Sequence, residues 1–513
     1  MVLYTKYKKT TAIQRHIALY AKYKPYFLLT ICFSAGSVYA DVYSWGIQGE
    51  PRFSSPVQAC DNHWPLVASY FESMGAGYTN VHKVFIYDGN RTALCLLTED
   101  GAVTGGNFAS AYRLGSECDS GKTYNNTTGA CGSDQQKGTP PAESCQGNPI
   151  NISIGNKYQS ESDFQSSGAS SLSFTRTYNS LDGIWRHGYS TYLRVAEDKL
   201  SIVRADGRET FFTVTDTAIT PDATERGSLV KNSDGTWLYT TDTNETFVFD
   251  ATGRMTNWSS LEGKTLQFAY ANSQVTVTDQ LGNTLTYTED AQHQPLTLAA
   301  PGTQITYTYD ANQHLSKLTK TIGIQTQQRQ FLYEDTRNNS LLTGIIDERG
   351  IRYATWTYDD QGRAISSEHS GGAGHISVTY NGDGTSTVTN ELGKNTIYSF
   401  VTIDGVKRVT SINGEPSPDC PASNATYTYT PTGQVLTKTD ARNNVTSYTY
   451  NDRSLEIKRT EASNTSQPRT TTTEWDPLRF LRTKVVGPTH TTVYTYDAQG
   501  RQLTQVTTSN SSQ

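Results

Sequence analysis

The chain has 513 residues, 35% of them hydrophobic, with 32 Tyr, 41 Gly and a formal net charge of −6. Mean hydropathy is −0.56. An acidic, polar, Tyr-rich chain is not composed like a compact helical enzyme, does not favour the nucleic-acid backbone, and past residue 40 holds no apolar run of the ~20 residues that a membrane-spanning helix needs.

Residues 1–40 read as an export signal. Lys6, Lys8, Lys9, Arg15, Lys22 and Lys24 precede an uncharged run from Tyr26 to Ala40, and Val38-Tyr39-Ala40 places small residues where cleavage occurs. The expected destination is the periplasm, the cell surface or the medium. Without this segment, 37 basic residues face 49 acidic ones, a net charge of −12.

Residues 41–146 hold five of the seven cysteines: Cys60, Cys95, Cys118, Cys131 and Cys145. Clustered cysteines in an exported chain read as disulfides, so all five are candidates and this stretch is expected to be a small stapled domain. An odd count means a free thiol or a pairing with Cys420, and spacing does not choose among the pairings. No C-x-x-C occurs, which argues against zinc. Leu66, Val67, Tyr70 and Phe71 suit one amphipathic helix over 59–75. Gly138-Thr-Pro-Pro141 reads as a linker.

Residues 147–235 form a second region, in which Trp185, Tyr189 and Tyr192 are expected to pack and Asp216–Gly235 reads as a polar loop. From 236 to 513 an aromatic-Thr-aromatic step recurs, as in Tyr307-Thr308-Tyr309, Trp356-Thr357-Tyr358, Tyr427-Thr428-Tyr429, Tyr448-Thr449-Tyr450 and Tyr494-Thr495-Tyr496. In an extended strand the two aromatics share one face and the Thr takes the other. An acid or Asn and often a Gly follow, the residues of a tight turn. A repeat of roughly 21 residues that cannot bury its aromatic face alone must stack on its neighbours. The fold class expected is therefore all-β: a long, coiling antiparallel sheet with an aromatic and aliphatic inner face, preceded by the disulfide-rich domain. Ser367–Gly374 and Asn413–Asn424 read as inserted loops.

Phe249-Asp250-Ala-Thr-Gly253-Arg254, Tyr358-Asp359-Asp-Gln-Gly362-Arg363 and Tyr496-Asp497-Ala-Gln-Gly500-Arg501 match Tyr-Asp-x-x-Gly-Arg. Tyr309-Asp310 is a degraded copy lacking the Gly-Arg, and Asn451-Asp-Arg-Ser lacks the Gly. With Gly147-Asn-Pro-Ile-Asn151 and Leu172-Ser-Phe-Thr-Arg-Thr-Tyr-Asn179, these residues resemble the RHS/YD-repeat proteins over 147–513, the stretch from 147 being similar to the module that opens their shell. The resemblance implies a partial shell of YD repeats, used for delivering an effector or toxin or for contact at a cell surface. The Asp-Pro-x-Gly-x-Asp self-cleavage phrase of that family does not occur.

No catalytic constellation stands out: there is no His-Glu-x-x-His and no Gly-x-Ser-x-Gly. His369 and His375 flank a Gly-rich stretch without metal-ligand spacing, and Asn381-Gly-Asp383-Gly384 suits a hairpin turn better than a calcium loop. No cofactor, metal or enzymatic activity is expected. The reading is an exported scaffold whose open sheet edge pairs with a further repeat chain or with itself. The alternative is a stand-alone surface module that binds a glycan or a protein.

Overall fold

The computed structural model describes residues 44–510 apart from 54, 74–76, 88–90, 100–101, 115–122, 125–130, 133, 196–198, 216–217, 223, 291 and 416–423. The expected export signal, Cys118, Cys420 and most of the expected 413–424 loop lie outside the described residues, as does the side chain of Cys131.

The helix Pro56–Glu72 starts earlier than periodicity alone indicates. Ser55 is extended and its hydroxyl accepts the Gln58 N–H, and Pro56 sits in the first turn, where no intrahelical donor is needed. The helix packs on a four-stranded antiparallel sheet built from Ser44–Gly46, Thr79–Tyr87, Thr92–Glu99 and Ala102–Leu114. A disulfide joins Cys60 on the helix to Cys95 on the sheet, closing a span of 35 residues. Cys145 departs from the disulfide expectation and carries a free thiol. It lies in the short strand Cys145–Gln146, directly opposite Asn151, so its ladder partner offers no sulfur.

Residues 145–221 fold as two small antiparallel sheets, one of five strands and one of four. The described part of 216–235, expected as a polar loop, is mostly turn and irregular chain and also supplies the short strands Ile219–Pro221 and Ser228–Lys231. Ser228–Lys231 opens a single 26-stranded sheet that runs in chain order to Gln502–Ser509, each strand antiparallel to the one before. Chain order follows from the repeat, since every unit is a hairpin that pairs first with its own sequence neighbour. The Thr face is tied across strands, with Thr428 to Thr437 and Thr495 to Thr504 both at 2.7 Å. The expected loop at Ser367–Gly374 shrinks to one turn at Ser370–Gly372, because the strand Ala364–His369 runs through its first half.

The sheet coils until its turns meet earlier turns. Asn244 contacts Phe480, 236 residues further along, and a Cβ on Gly500 would come within 2.6 Å of Leu261 Cδ1. The sheets of residues 145–221 fill the inside of the coil. One core cluster joins their Ile150, Phe174, Tyr178 and Trp185 to the wall's Tyr287, Phe331, Trp356 and Tyr358.

Candidate functional site

The Tyr-Asp-x-x-Gly-Arg unit at 358–363 explains each of its residues. Tyr358 is buried and its hydroxyl donates to Leu342 O at 2.7 Å. Asp359 Oδ1 accepts the N–H groups of Gln361 and Arg363, which closes the turn. Gly362 has φ +74 and donates its N–H to Asp359 O. Arg363 Nε donates to Asp359 Oδ2 at 2.7 Å, and its guanidinium lies 4.2 Å from the centre of the ring of Tyr380, which ends the strand Ile376–Tyr380. Tyr358 pairs with Ala364 across a bulge. Tyr496, Asp497, Gly500 and Arg501 repeat this arrangement.

The degraded copies keep the geometry with other residues. Tyr309 donates to Pro295 O, and Asp310 accepts the N–H groups of Asn312 and His314. Gln313 takes the glycine's place at φ +64, and Ser454 does so at φ +59. The same aromatic-to-carbonyl bond recurs at Tyr270, Tyr380, Tyr429 and Tyr450, and Trp475 makes it through its indole nitrogen. The repeat is thus a device that staples each hairpin to the strand before it.

The inner segment docks through charged and polar groups that the wall completes. Lys157 is fully buried, donates to Asn148 O and Gln159 Oε1 at 2.6 and 2.7 Å, and lies 4.2 Å from the Trp356 ring. Burial holds its pKa well below the usual lysine value. Arg176 pairs with Asp163, and Tyr307 from the wall donates to the same carboxylate at 2.7 Å. Trp356 Nε1 donates to Asn148 O, and Ser386 Oγ to Ile152 O, both at 2.8 Å. The carboxamide of Gln136 exchanges hydrogen bonds of 3.0 and 3.2 Å with the Lys407 backbone, as a neighbouring strand would. A charge buried in this way needs every partner present, so inner segment and wall specify each other.

Beyond this filled part the wall opens. The inward aromatics Tyr287, Tyr307, Trp356 and Tyr358 are buried, whereas Tyr450, Trp475, Tyr494 and Tyr496 are half-buried and every residue of Gln502–Ser509 is exposed. The register places Lys438 beside Tyr427, Arg459 beside Tyr448 and Gln505 beside Tyr494. Polar partners there suit a wetted face.

A cavity of about 490 Å³ lies where residues 189–192 meet the wall. Its lining includes Glu289, which stands in the aromatic position of the unit Glu289-Asp290-Ala-Gln-His293-Gln294 and pairs with Pro295 across the usual bulge. His187 Nε2 and His293 Nδ1 lie 2.9 and 3.0 Å from its two carboxylate oxygens. The two imidazoles hold its pKa down at about 2 against the opposing effect of burial, which is the largest influence. His187 is fully buried, and burial lowers its pKa. Its Nδ1 accepts the Tyr189 N–H at 3.3 Å, so the ring is the neutral Nε2–H tautomer. His293 occupies the glycine position at φ +61. Neither histidine nor Glu289 stood out in the sequence. Aligning Asp290-x-x-His293 with Asp359-x-x-Gly362 would have exposed both departures. His369 and His375 do not meet: His375 faces Glu368 at 3.2 Å, and His369 stacks on Tyr353. Asn381–Gly384 closes a hairpin turn. No group of metal-ligating side chains occurs among the described residues, and no described helix is long and apolar enough to cross a membrane.

A family model described as a domain of unknown function, DUF6531, matches residues 147–212. No curated protein matches the chain. Among solved structures, the chain is similar to TcdB2-TccC3, at 11% identity and a TM-score of 0.31, over 84% of this chain and 23% of that one. It is similar to TcdB2-TccC3-Cdc42 at 11% identity and a TM-score of 0.30, over 66% of this chain and 20% of that one. The Tc holotoxin pore of Photorhabdus luminescens matches at 13% identity and a TM-score of 0.31, over 66% of this chain and 19% of that one. The chain spans about a fifth of the length of these solved chains.

Proposed function

We propose that this chain is an exported RHS-type scaffold, one part of a shell used in effector delivery or cell-surface contact, and not itself a catalyst. The observation that carries the reading is the strand Gln502–Ser509. It is the outermost strand of the 26-stranded sheet and is exposed along its whole length. An exposed strand of eight residues at the side of a sheet pairs with a neighbouring strand or is covered. The expected neighbour is an antiparallel strand of the same aromatic-Thr-aromatic kind, from a following repeat, a further repeat chain or a second copy. The wetted inner face beside that edge suits the wall of an enclosure, and the repeat motif at 358–363 and 496–501 supports membership of the RHS/YD class.

Hydrogen exchange on the oxidised, exported chain tests this, alone and co-expressed with a longer YD-repeat chain. The expected result is fast exchange at the outward-facing amides of 502–509 in the isolated protein, those not bonded to His490–Tyr496, and strong protection of them on association. A monomer by light scattering whose outward-facing 502–509 amides are already protected would mean the edge is capped, and the scaffold reading would fail.

A further inference from the structure

Turns of the 26-stranded sheet alternate between its two rims, because each strand runs antiparallel to the one before. The motif turns at 250–254, 359–363 and 497–501 share one rim with the turn at 476–481. The turns at 241–245, 260–264, 280–283, 323–324, 347–351 and 390–394 lie on the other. Early in the wall, motif turns meet the inner segment. Leu193 N donates to Gly253 O, and Ala364 N, just past the motif turn, donates to Gly155 O, both at 2.9 Å. Late in the wall, turns of the same rim meet the opposite rim of the earlier wall instead. Phe480 is bonded to Asn244 in the 241–245 turn. Gly500 is buried, and a Cβ there would lie 2.6 Å from Leu261 Cδ1 and 3.4 Å from Leu481 Cδ1. At this seam the motif glycine therefore has a second role: it leaves room for a leucine from the turn beneath. The two contacts advance together, one turn further along on each side, and the next turn on the earlier rim is 280–283.

That turn is built like the one already covered. Gly263 N donates to Ser260 O and Gly282 N to Asp279 O, and each turn carries a leucine at its tip, Leu261 and Leu281. Leu281 is exposed. Its turn is held from inside, since Ser170 Oγ donates to Asp279 Oδ2 at 2.6 Å and Ser171 Oγ to Gln280 Oε1 at 2.8 Å. The seat is thus fixed and open. Further along the same rim Ile324, Ile351 and Leu392 are exposed as well. Apolar residues exposed singly are ordinary. Turns, however, favour Gly, Asn, Asp and Ser, and a file of aliphatic tips on one rim marks an interface that continues.

We propose that this rim is a docking ledge for Tyr-Asp-x-x-Gly-Arg turns, and that the repeat hairpin pairing with Gln502–Ser509 seats its motif glycine on Leu281 as Gly500 seats on Leu261. The inference rests on the scaffold reading and adds to it where the hairpin's turn lands. It also supplies selectivity. Many strands can pair with an open sheet edge, but one whose turn carries a side chain at the glycine position strikes the leucine tip and is rejected.

The full oxidised chain carrying a duplicate of its own residues 487–510 after Gln513 supplies such a hairpin. Maleimide labelling of Leu281→Cys, read on its peptide by mass spectrometry, is compared with and without the duplicate, beside hydrogen exchange at 502–509 and light scattering. The duplicate is expected to protect the outward-facing 502–509 amides and to slow labelling of Leu281→Cys at least about tenfold, as closure of a local contact does. Leu392→Cys, further along the ledge, should label at the same rate in both. Protected amides with unchanged labelling of Leu281→Cys would overturn the ledge and leave the scaffold reading standing. Unprotected amides would remove the scaffold reading and the ledge with it. Slow labelling of Leu281→Cys already without the duplicate would mean that something else covers the rim, a second copy of the chain if scattering shows a dimer, and would overturn the proposal.

Discussion

The side chain of Asn244 is bonded to the backbone of Phe480 in both directions, with Nδ2 donating to the carbonyl at 3.2 Å and Oδ1 accepting the N–H at 2.9 Å. These two bonds tie a turn near the start of the sheet to a turn near its end. Each is worth about 1 kcal/mol net. Asn244→Ala is expected to raise hydrogen exchange around 241–245 and 476–481 while leaving the core strands at 174–187 and 354–358 protected. Unchanged exchange at both turns would mean that the coil is held elsewhere.

The aromatic-to-carbonyl bond should matter in proportion to burial. Tyr358 OH reaches Leu342 O in a buried setting, whereas Tyr496 OH reaches Arg482 O in an exposed one. Tyr358→Phe leaves a buried carbonyl without its donor and is expected to cost about 1–3 kcal/mol in urea unfolding. Tyr496→Phe should lie within about 0.5 kcal/mol of the wild type. Equal effects would contradict the role given to burial.

Three positions separate backbone strain from crowding. Gly362 at φ +74 has only Asn338 Nδ2 near its Cβ position, at 3.9 Å, so Gly362→Ala should cost about 1–2 kcal/mol through backbone strain. At Gly253 a Cβ would come within 1.9 Å of Leu193 O, and Gly253→Ala should displace the inner segment and cost clearly more. Gln313→Gly relieves the strain at φ +64 and should stabilise by up to about 1 kcal/mol. Urea midpoints in that order are the expected result.

Acid should loosen the grip of the inner segment. His187 is held neutral by burial, so its folded pKa lies below the ordinary value of 6.5. The unfolded chain then binds the extra proton first, and stability present above pH 6.5 is lost as pH falls toward the folded pKa. The groups facing it are Glu289, His293 and Asp290. Glu289, with a pKa of about 2, stays charged through this window and contributes its own loss only below its ordinary 4.5. Urea midpoints at pH 8 and pH 5 should differ in the wild type and differ less in His187→Gln. A wild-type midpoint that does not fall would contradict the neutral tautomer.

The architecture was legible because the repeat writes it many times over. Tyr358, Asp359, Gly362 and Arg363 each predict a local geometry, and their copies make the reading secure. What stood only once was hidden. Lys157 and Arg176 look like surface charges until the wall that buries them is present. Nothing in the spacing of five cysteines picks Cys60 with Cys95, because that pairing depends on the helix lying on the sheet. The strand Ile219–Pro221 is too short and polar to show alternation. Glu289 and His293 were invisible as residues and visible only as exceptions to a pattern.

The strand order also sets a timetable. Each wall strand can pair as soon as the next hairpin is present, so the wall grows by local closures, which are fast. The inner segment is made first, yet its anchors come late: Asn148 waits for Trp356 and Ile152 for Ser386, 208 and 234 residues later. Until those strands arrive, Lys157, Arg176 and Asp163 lack the wall that buries them. The segment made first is thus the one completed last, because the wall strands that bury it lie more than two hundred residues downstream.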